Sequence, residues 1–503
     1  WGGFGREPKF PNPTALEFFA VLSRGPADDR LATDAGHALR LTLDKMYEGG
    51  IYDHLRGGFA RYSTDTQWLV PHFEKMLYDN AMLLPLYAEA AAAWPEAEHL
   101  GRVVHETVAY LGADMRHDSG TFFAATDADS EGVEGKYFVW TPEQLAAVLD
   151  PEKARLVARC YDVRPGGNWQ DPHGHGPQGA SILHVIDRPQ DEAEGRLLAA
   201  ARAELLAARR TRVPPGTDDK VLTAWNGLAI TGLAEAGRLL GEPRYVAAAQ
   251  RTADFLLHAL RGPDGALLRT YKEGSAKLPA TLDDHAFVAE GLFHLASASG
   301  DLTYLTAAIA LTDEALTRFY DAEKGLFFLG PAETGGVTLV TRPVSLFDSA
   351  IPSGLSVTCM NLLRLAALAD DERRARYQQI AESTLLRHTE QASRNPAGMA
   401  NLIAALDLWQ HGLTVTVLVD GDEASAAAAT VLHRASLARY GPDHFVLRCR
   451  PGQPVPPPFD ALLAGKAAVQ GRPTAYVCRG PRCTAPITDP SELAERLGRP
   501  EPL

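Results

Sequence analysis

No apolar run in this 503-residue chain approaches the roughly 20 residues that a membrane-spanning helix needs, so no transmembrane segment is expected. A basic surplus is missing too: 49 Lys and Arg stand against 63 Asp and Glu, a net charge of −14. That balance argues against nucleic acid or an anionic membrane as a general partner, because both are bound through positive charge. Cysteine is scarce. Five residues, of which only Cys478 and Cys483 are close, make no disulfide framework and suit a reducing cytosol. A cytoplasmic location is expected, with those two thiols reduced and dispensable for folding. The first residues, Trp1-Gly2-Gly3-Phe4, lack the basic and apolar regions of a signal peptide and an initiator Met, which reads as a fragment or processed form. A Walker loop, a dinucleotide glycine fingerprint and a nucleophile elbow are also missing, and no cofactor is expected.

What the chain does have is one repeated period. Hydrophobic residues at 46% and charged residues at 22% allow a sizeable core. Apolar residues recur at helical spacing over Pro71–Ala93, 99–116, Val221–Leu240, Arg244–Leu260, 281–296, 302–320, 352–369, 371–390 and 396–411. Thr281 with Asp284 fits a capping box at the head of one of these helices. Helix, short turn and antiparallel helix recur without a strict repeat, so a closed toroid of unequal hairpins is expected rather than a solenoid. Glycine-rich aromatic loops, such as Gly49–Ser63 and Gly120–Phe123, follow helix ends and read as short strands across one mouth of that ring. A Pro/Gly/His-rich excursion, Pro165–Gly179, marks an insertion at about 140–215. Beyond Gly412 strands alternate with an Ala-rich helix, which reads as a small α/β segment. The expected division is a barrel over 1–411 and an α/β segment over 412–503.

Several residues carry candidate chemistry. A helix starting near Pro71 places His72, Lys75 and Asp79 on one face and turns Glu74 away, so His72 and Asp79 form a candidate proton-transfer pair. Asp283-Asp284-His285 opens another helix. Capping explains the two carboxylates, while an uncharged imidazole at a helix N-terminus is available as a base. Trp225 beside Asn226 suits a sugar ring stacked on the indole; core packing is the plainer account of the same Trp. Asp127–Gly132 opens like a calcium loop, but Phe138 stands where a bidentate Glu is needed, so the turn reads as lining a pocket mouth through Asp129 and no metal is expected. The four residues between Cys478 and Cys483 match no common zinc or redox spacing.

The motifs Gly2–Gly5, Pro8–Pro11, Gly50–Asp53, Arg61–Ser63, Val70–Asn80, Asp129–Gly132, Asp219–Gly227, Asp283–His285, Pro352–Gly354 and Ala475–Cys483 together resemble the YyaL-like family related to spermatogenesis-associated protein 20. The resemblance covers essentially the whole chain. It implies a thioredoxin-like domain followed by an (α/α)₆ six-hairpin barrel akin to N-acylglucosamine 2-epimerases and six-hairpin glycosidases. Nothing precedes Trp1 here, so a thioredoxin-like domain is expected only upstream in a full-length protein. The expected substrate is a small molecule, a carbohydrate. Epimerase or isomerase chemistry would use His72 and His285 as opposed bases, Asp79 or Asp284 as orienters and Arg61 on an anionic or enolate oxygen, with Asp129, Trp225 and Asn226 binding. Glycoside hydrolysis would instead pair Asp129 with Asp284. A barrel that binds a ligand or partner without catalysis, as a scaffold for a redox domain, is the third expectation.

Overall fold

Helices whose whole circumference is apolar or small must be buried all round, and those with one polar face lie outside them. The computed structural model describes residues 1–25, 29–170, 178–331, 333–334, 337–338, 341–437, 441, 443–450 and 455–498. In chain order, helices α1 (Pro13–Leu22) and α2 (Arg30–Glu48) form a first hairpin, and α3 (Leu77–Ala93) and α4 (Glu98–Asp114) a second. Next come α5 (Pro142–Val148), α6 (Pro151–Tyr161) and α7 (Glu192–Arg209), which pack on one another around Leu145, Leu156, Val157 and Leu205. They lie within the span read as an insertion. Of the loop Pro165–Gly179, positions 171–177 lie outside the described residues. The hairpins resume with α8 (Thr223–Leu239) and α9 (Pro243–Ala259), α10 (Leu282–Ser299) and α11 (Leu302–Phe319), and α12 (Gly354–Ala366) and α13 (Asp371–Arg394); α14 (Ala400–His411) follows.

The packing closes a ring. α1 touches α3, α3 touches α8, α8 touches α10, α10 touches α12, α12 touches α14, and α14 returns to α1. α2, α4, α9, α11 and α13 each back the inner helix of their own hairpin. Helix α8 buries 14 of its 17 residues and its outer partner α9 only five of 17, which is why α8 stands inside. This is an (α/α)₆ barrel. One close seam is between α8 and α10, where a Cβ on Gly291 would lie 2.7 Å from the Gly227 carbonyl oxygen. Only glycine lets the two backbones meet there.

The N-termini of the inner helices lie together at one mouth. Asp284 at the head of α10 accepts from the Ala224 N–H of α8 at 3.0 Å. Asn401 of α14 donates to Ser356 of α12 at 2.9 Å. The opposite end is covered by the α/β segment, a four-stranded sheet in the order His444–Cys449, Thr414–Val419, Thr474–Arg479, Arg482–Cys483, with α15 (Ala426–Leu437) and α16 (Pro490–Gly498). Its first pair is parallel and joined through α15; the others are antiparallel. The Val446 N–H donates to Ser297 at 3.1 Å, and the Phe445 ring packs, tilted, on Phe293 near the foot of α10.

Three expectations are corrected. Helix α3 starts at Leu77, not Pro71: Pro71–His72 pairs with Tyr62–Ser63, and Lys75–Met76 with Ala125–Thr126, so His72 is on a strand. Lys75 is buried against Asp53 at 2.8 Å instead of sharing a helix face with His72. Cys478 and Cys483 form a disulfide, against the expectation of free thiols, because the antiparallel strands set their Cα atoms 4.0 Å apart.

The ring seam makes a directional test. Gly291→Ala should destabilise the chain by about 1–3 kcal/mol through overpacking. Gly112→Ala, in α4 with open space around it, should stabilise by about 0.4–1 kcal/mol. Paired denaturant titrations check both signs.

Candidate active site

Three inner helices begin alike. After an extended segment their second, third and fourth residues are Tyr78, Asp79 and Asn80 in α3, Ala224, Trp225 and Asn226 in α8, and Asp283, Asp284 and His285 in α10. The fourth residue is a clamp. Asn80 accepts from the Phe59 N–H at 2.7 Å and donates to the Phe59 and Met76 carbonyls. Asn226 treats Phe122 and Leu222 in the same way. His285 bonds the Thr281 carbonyl through Nδ1 at 3.0 Å, and its Nε2 lies 3.3 Å from Glu314 on the outer helix α11. The fourth residue thus faces the outer layer. The second, about 200° away on a helix of 3.6 residues per turn, faces the barrel axis.

Asp283 is in that axial position. A Cβ on Gly354 would lie 2.1 Å from its Oδ1, so glycine at the head of α12 is what admits the carboxyl. Oδ1 is buried and has no hydrogen-bond partner of good geometry among the described residues, although the Gly354 backbone N–H lies close enough to favour the charged carboxylate. Burial, then the adjacent Asp284 charge, pushes the acid up to about 6. Asp79 is 3% exposed, and its Oδ2 is likewise buried without a partner. Burial holds its pKa well above the usual carboxylate range; Arg61 pulls against this and Glu74 adds to it.

Around these acids runs a chain of contacts. His72 Nδ1 bonds Glu134 at 2.8 Å, its Nε2 lies 3.8 Å from Glu74, and its ring stacks on Tyr62. Glu74 accepts from Arg61 at 3.2 Å. Arg61 neighbours Tyr78, whose ring meets half-buried Trp225 edge-on with centroids 4.8 Å apart. The structure therefore brings together Arg61, His72, Asp79 and Trp225, and adds Glu74, Tyr78 and Glu134; Asp283 lies at the head of α10 against Gly354.

Four of the expected site residues are placed otherwise. Asp284 spends its oxygens on Ala224 and on the N–H and hydroxyl of Thr281, which is a capping and seam-bridging role. Asn226 is consumed by its clamp, and His285 looks outward to Glu314 while His72 looks to Glu134. Asp129 is exposed on the short hairpin Asp129–Ser130/Val133–Glu134, which delivers Glu134 to His72. Glu74 does not turn away, because its segment is extended and alternates sides. Asp283 carried a signal in sequence only as a capping acid. The approach of Gly354, 71 positions later, had none.

Comparison with known proteins follows this geometry. No family model matches the chain. Human spermatogenesis-associated protein 20 is 33% identical over 545 aligned residues, covering 99% of this chain and 67% of that protein. The chain belongs to the spermatogenesis-associated protein 20 family. An uncharacterized Caenorhabditis elegans protein is 29% identical and is covered over 71% of its length. Among solved structures, a sugar epimerase from a ruminal bacterium aligns over 68% of this chain and 87% of its own, at 13% identity and a TM-score of 0.31. The GH76 α-mannanase of Bacteroides thetaiotaomicron aligns over 84% of each chain, at 12% identity and a TM-score of 0.39. Scores this low carry no argument about this family member; the ring itself defines the barrel. Among the described residues no helix is long and apolar enough to cross a membrane.

A pH test follows from Asp283. Its folded-state pKa of about 6 exceeds the ordinary 3.8. The folded state therefore holds the proton more tightly, and stability falls as pH rises through that window. Asp283→Asn removes this loss. Its melting temperature relative to wild type should rise between about pH 4 and pH 7 and level off above. Thermal melts across that range check it.

Proposed function

We propose that the mouth is the active site of a carbohydrate-active enzyme in which Asp283 and Asp79 exchange protons with a sugar held against Trp225. The observation that supports this most is a carboxyl on the first turn of each of two inner helices, α3 and α10, each with a buried oxygen that has no hydrogen-bond partner of good geometry among the described residues. Buried acids of raised pKa with open hydrogen-bonding capacity are the groups that donate protons near neutral pH. Asp79, held well above the usual carboxylate range by burial, serves as the acid toward a leaving oxygen. Asp283, at about 6, ionises near neutral pH and is the partner carboxyl. Half-buried Trp225, backed edge-on by buried Tyr78, gives the apolar face on which a sugar ring stacks. His72, oriented by Glu134, is placed to bind a hydroxyl.

This reading favours hydrolysis by paired carboxyls over epimerisation by two histidines. His285 is turned to Glu314 and cannot oppose His72 across one substrate.

The test is turnover on a panel of aryl glycosides and disaccharides, with products followed by NMR. Asp283→Asn should lower kcat/KM by about 10²–10⁴-fold with the fold intact. Trp225→Ala should act mainly on KM. Turnover unchanged in Asp283→Asn, or a wild type that neither converts nor binds any sugar in the panel, would overturn the reading. Exchange of a ring carbon-bound hydrogen with solvent, without bond cleavage, would return the chemistry to epimerisation.

A further inference from the structure

Away from the mouth, a crevice of about 320 Å³ opens between α4, α7 and the segment 210–217. Its floor is an ion cluster of unequal charge. Asp53 accepts from both guanidinium ends of Arg209, at 2.9 and 2.8 Å, and from Lys75 at 2.8 Å. The same carboxylate also accepts the N–H groups of Leu55 and Arg56, so it is saturated. Two buried cations thus share one anion. Lys75 is 3% exposed and Arg209 2%, and Arg209 Nε is buried without a hydrogen-bond partner among the described residues. On the rim, Arg56 is paired with Asp114, while exposed Arg210 makes no ion pair among the described residues. The lining therefore carries four cations and two carboxylates, on a chain whose net charge is −14. The walls are aromatic: Lys75 Nζ is 4.4 Å from the Tyr110 ring centre, and Arg209 is 5.2 Å from that of Tyr137.

We propose that this crevice binds a small organic anion, a carboxylate or phosphate borne on a compact aromatic body. Burying a cluster with one positive charge in excess is costly unless an anion completes it. A local positive field inside an acidic protein concentrates anions at that one place. The volume is at the lower end of small-molecule pockets, and aromatic walls with a few convergent charges are how such pockets hold ligands. Arg210 supplies a free guanidinium suited to two oxygens of a carboxylate or phosphate. The site is independent of the mouth and of the reading given for it.

Calorimetric titration of the full chain with phenyl phosphate, benzoate and the uncharged benzyl alcohol tests this. The expected result is saturable binding of one or both anions, weakened by salt, and none of the alcohol; which anion binds more tightly separates the two sources. Arg210→Glu, on the exposed rim, should weaken binding by at least about tenfold without lowering the melting temperature. Tyr137→Ala should weaken it too. Failure of both anions to saturate at about 10 mM, or saturable binding indifferent to both substitutions, overturns the proposal.

Discussion

The contact of α8 with α10 through Gly227 and Gly291 sets the geometry on which the mouth depends. Two inner helices that meet backbone to backbone leave no room for either to rotate about its axis. Their first turns are then fixed in azimuth: Asn226 and His285 must face the outer layer, and Asp283 must face the axis. Asp284 reinforces the seam by accepting from the head of α8. A ring packed this way holds its functional groups on helix ends rather than on free loops, which limits how far they move.

Two kinds of carboxyl taken out of water occur in this structure, and they differ in how their oxygens are satisfied. Asp53 is surrounded by donors and held by Arg209 and Lys75, so its acid is kept far below the ordinary range despite burial. Asp79 is buried and Asp283 partly so, but each has a buried oxygen without a donor of good geometry among the described residues, and burial drives them upward. The difference lies in the supply of hydrogen bonds, not in depth. A saturated carboxylate ties helix α7 to the barrel. An unsatisfied one has capacity left for a substrate.

The hairpin order was legible in sequence, because apolar residues recur at helical spacing in successive segments joined by short turns; which helix of each pair stands inside was settled by packing, which buries 14 of 17 residues in α8. Residues of the mouth were legible only in part. Val70–Asn80 stood out by its density of polar and aromatic groups, yet a helical reading from Pro71 put Glu74 on the wrong side. The extended stretch before Leu77 is held by pairing with Ala125–Thr126, a partner about 50 positions away. The disulfide had the same cause: cross-strand register, not spacing, brought Cys478 opposite Cys483.

By itself the sequence determined the hairpin order, the α/β character beyond Gly412 and the family, because these follow from local periodicity and motif identity. Only the tertiary structure decided which of two adjacent acids faces the axis. Asp283 and Asp284 are both first-turn residues with the same local propensity. What distinguishes them is a rotation of 100° together with their neighbours in space, Gly354 for one and Ala224 for the other. Those neighbours come from other hairpins, and their approach is fixed by ring closure, which no local pattern encodes.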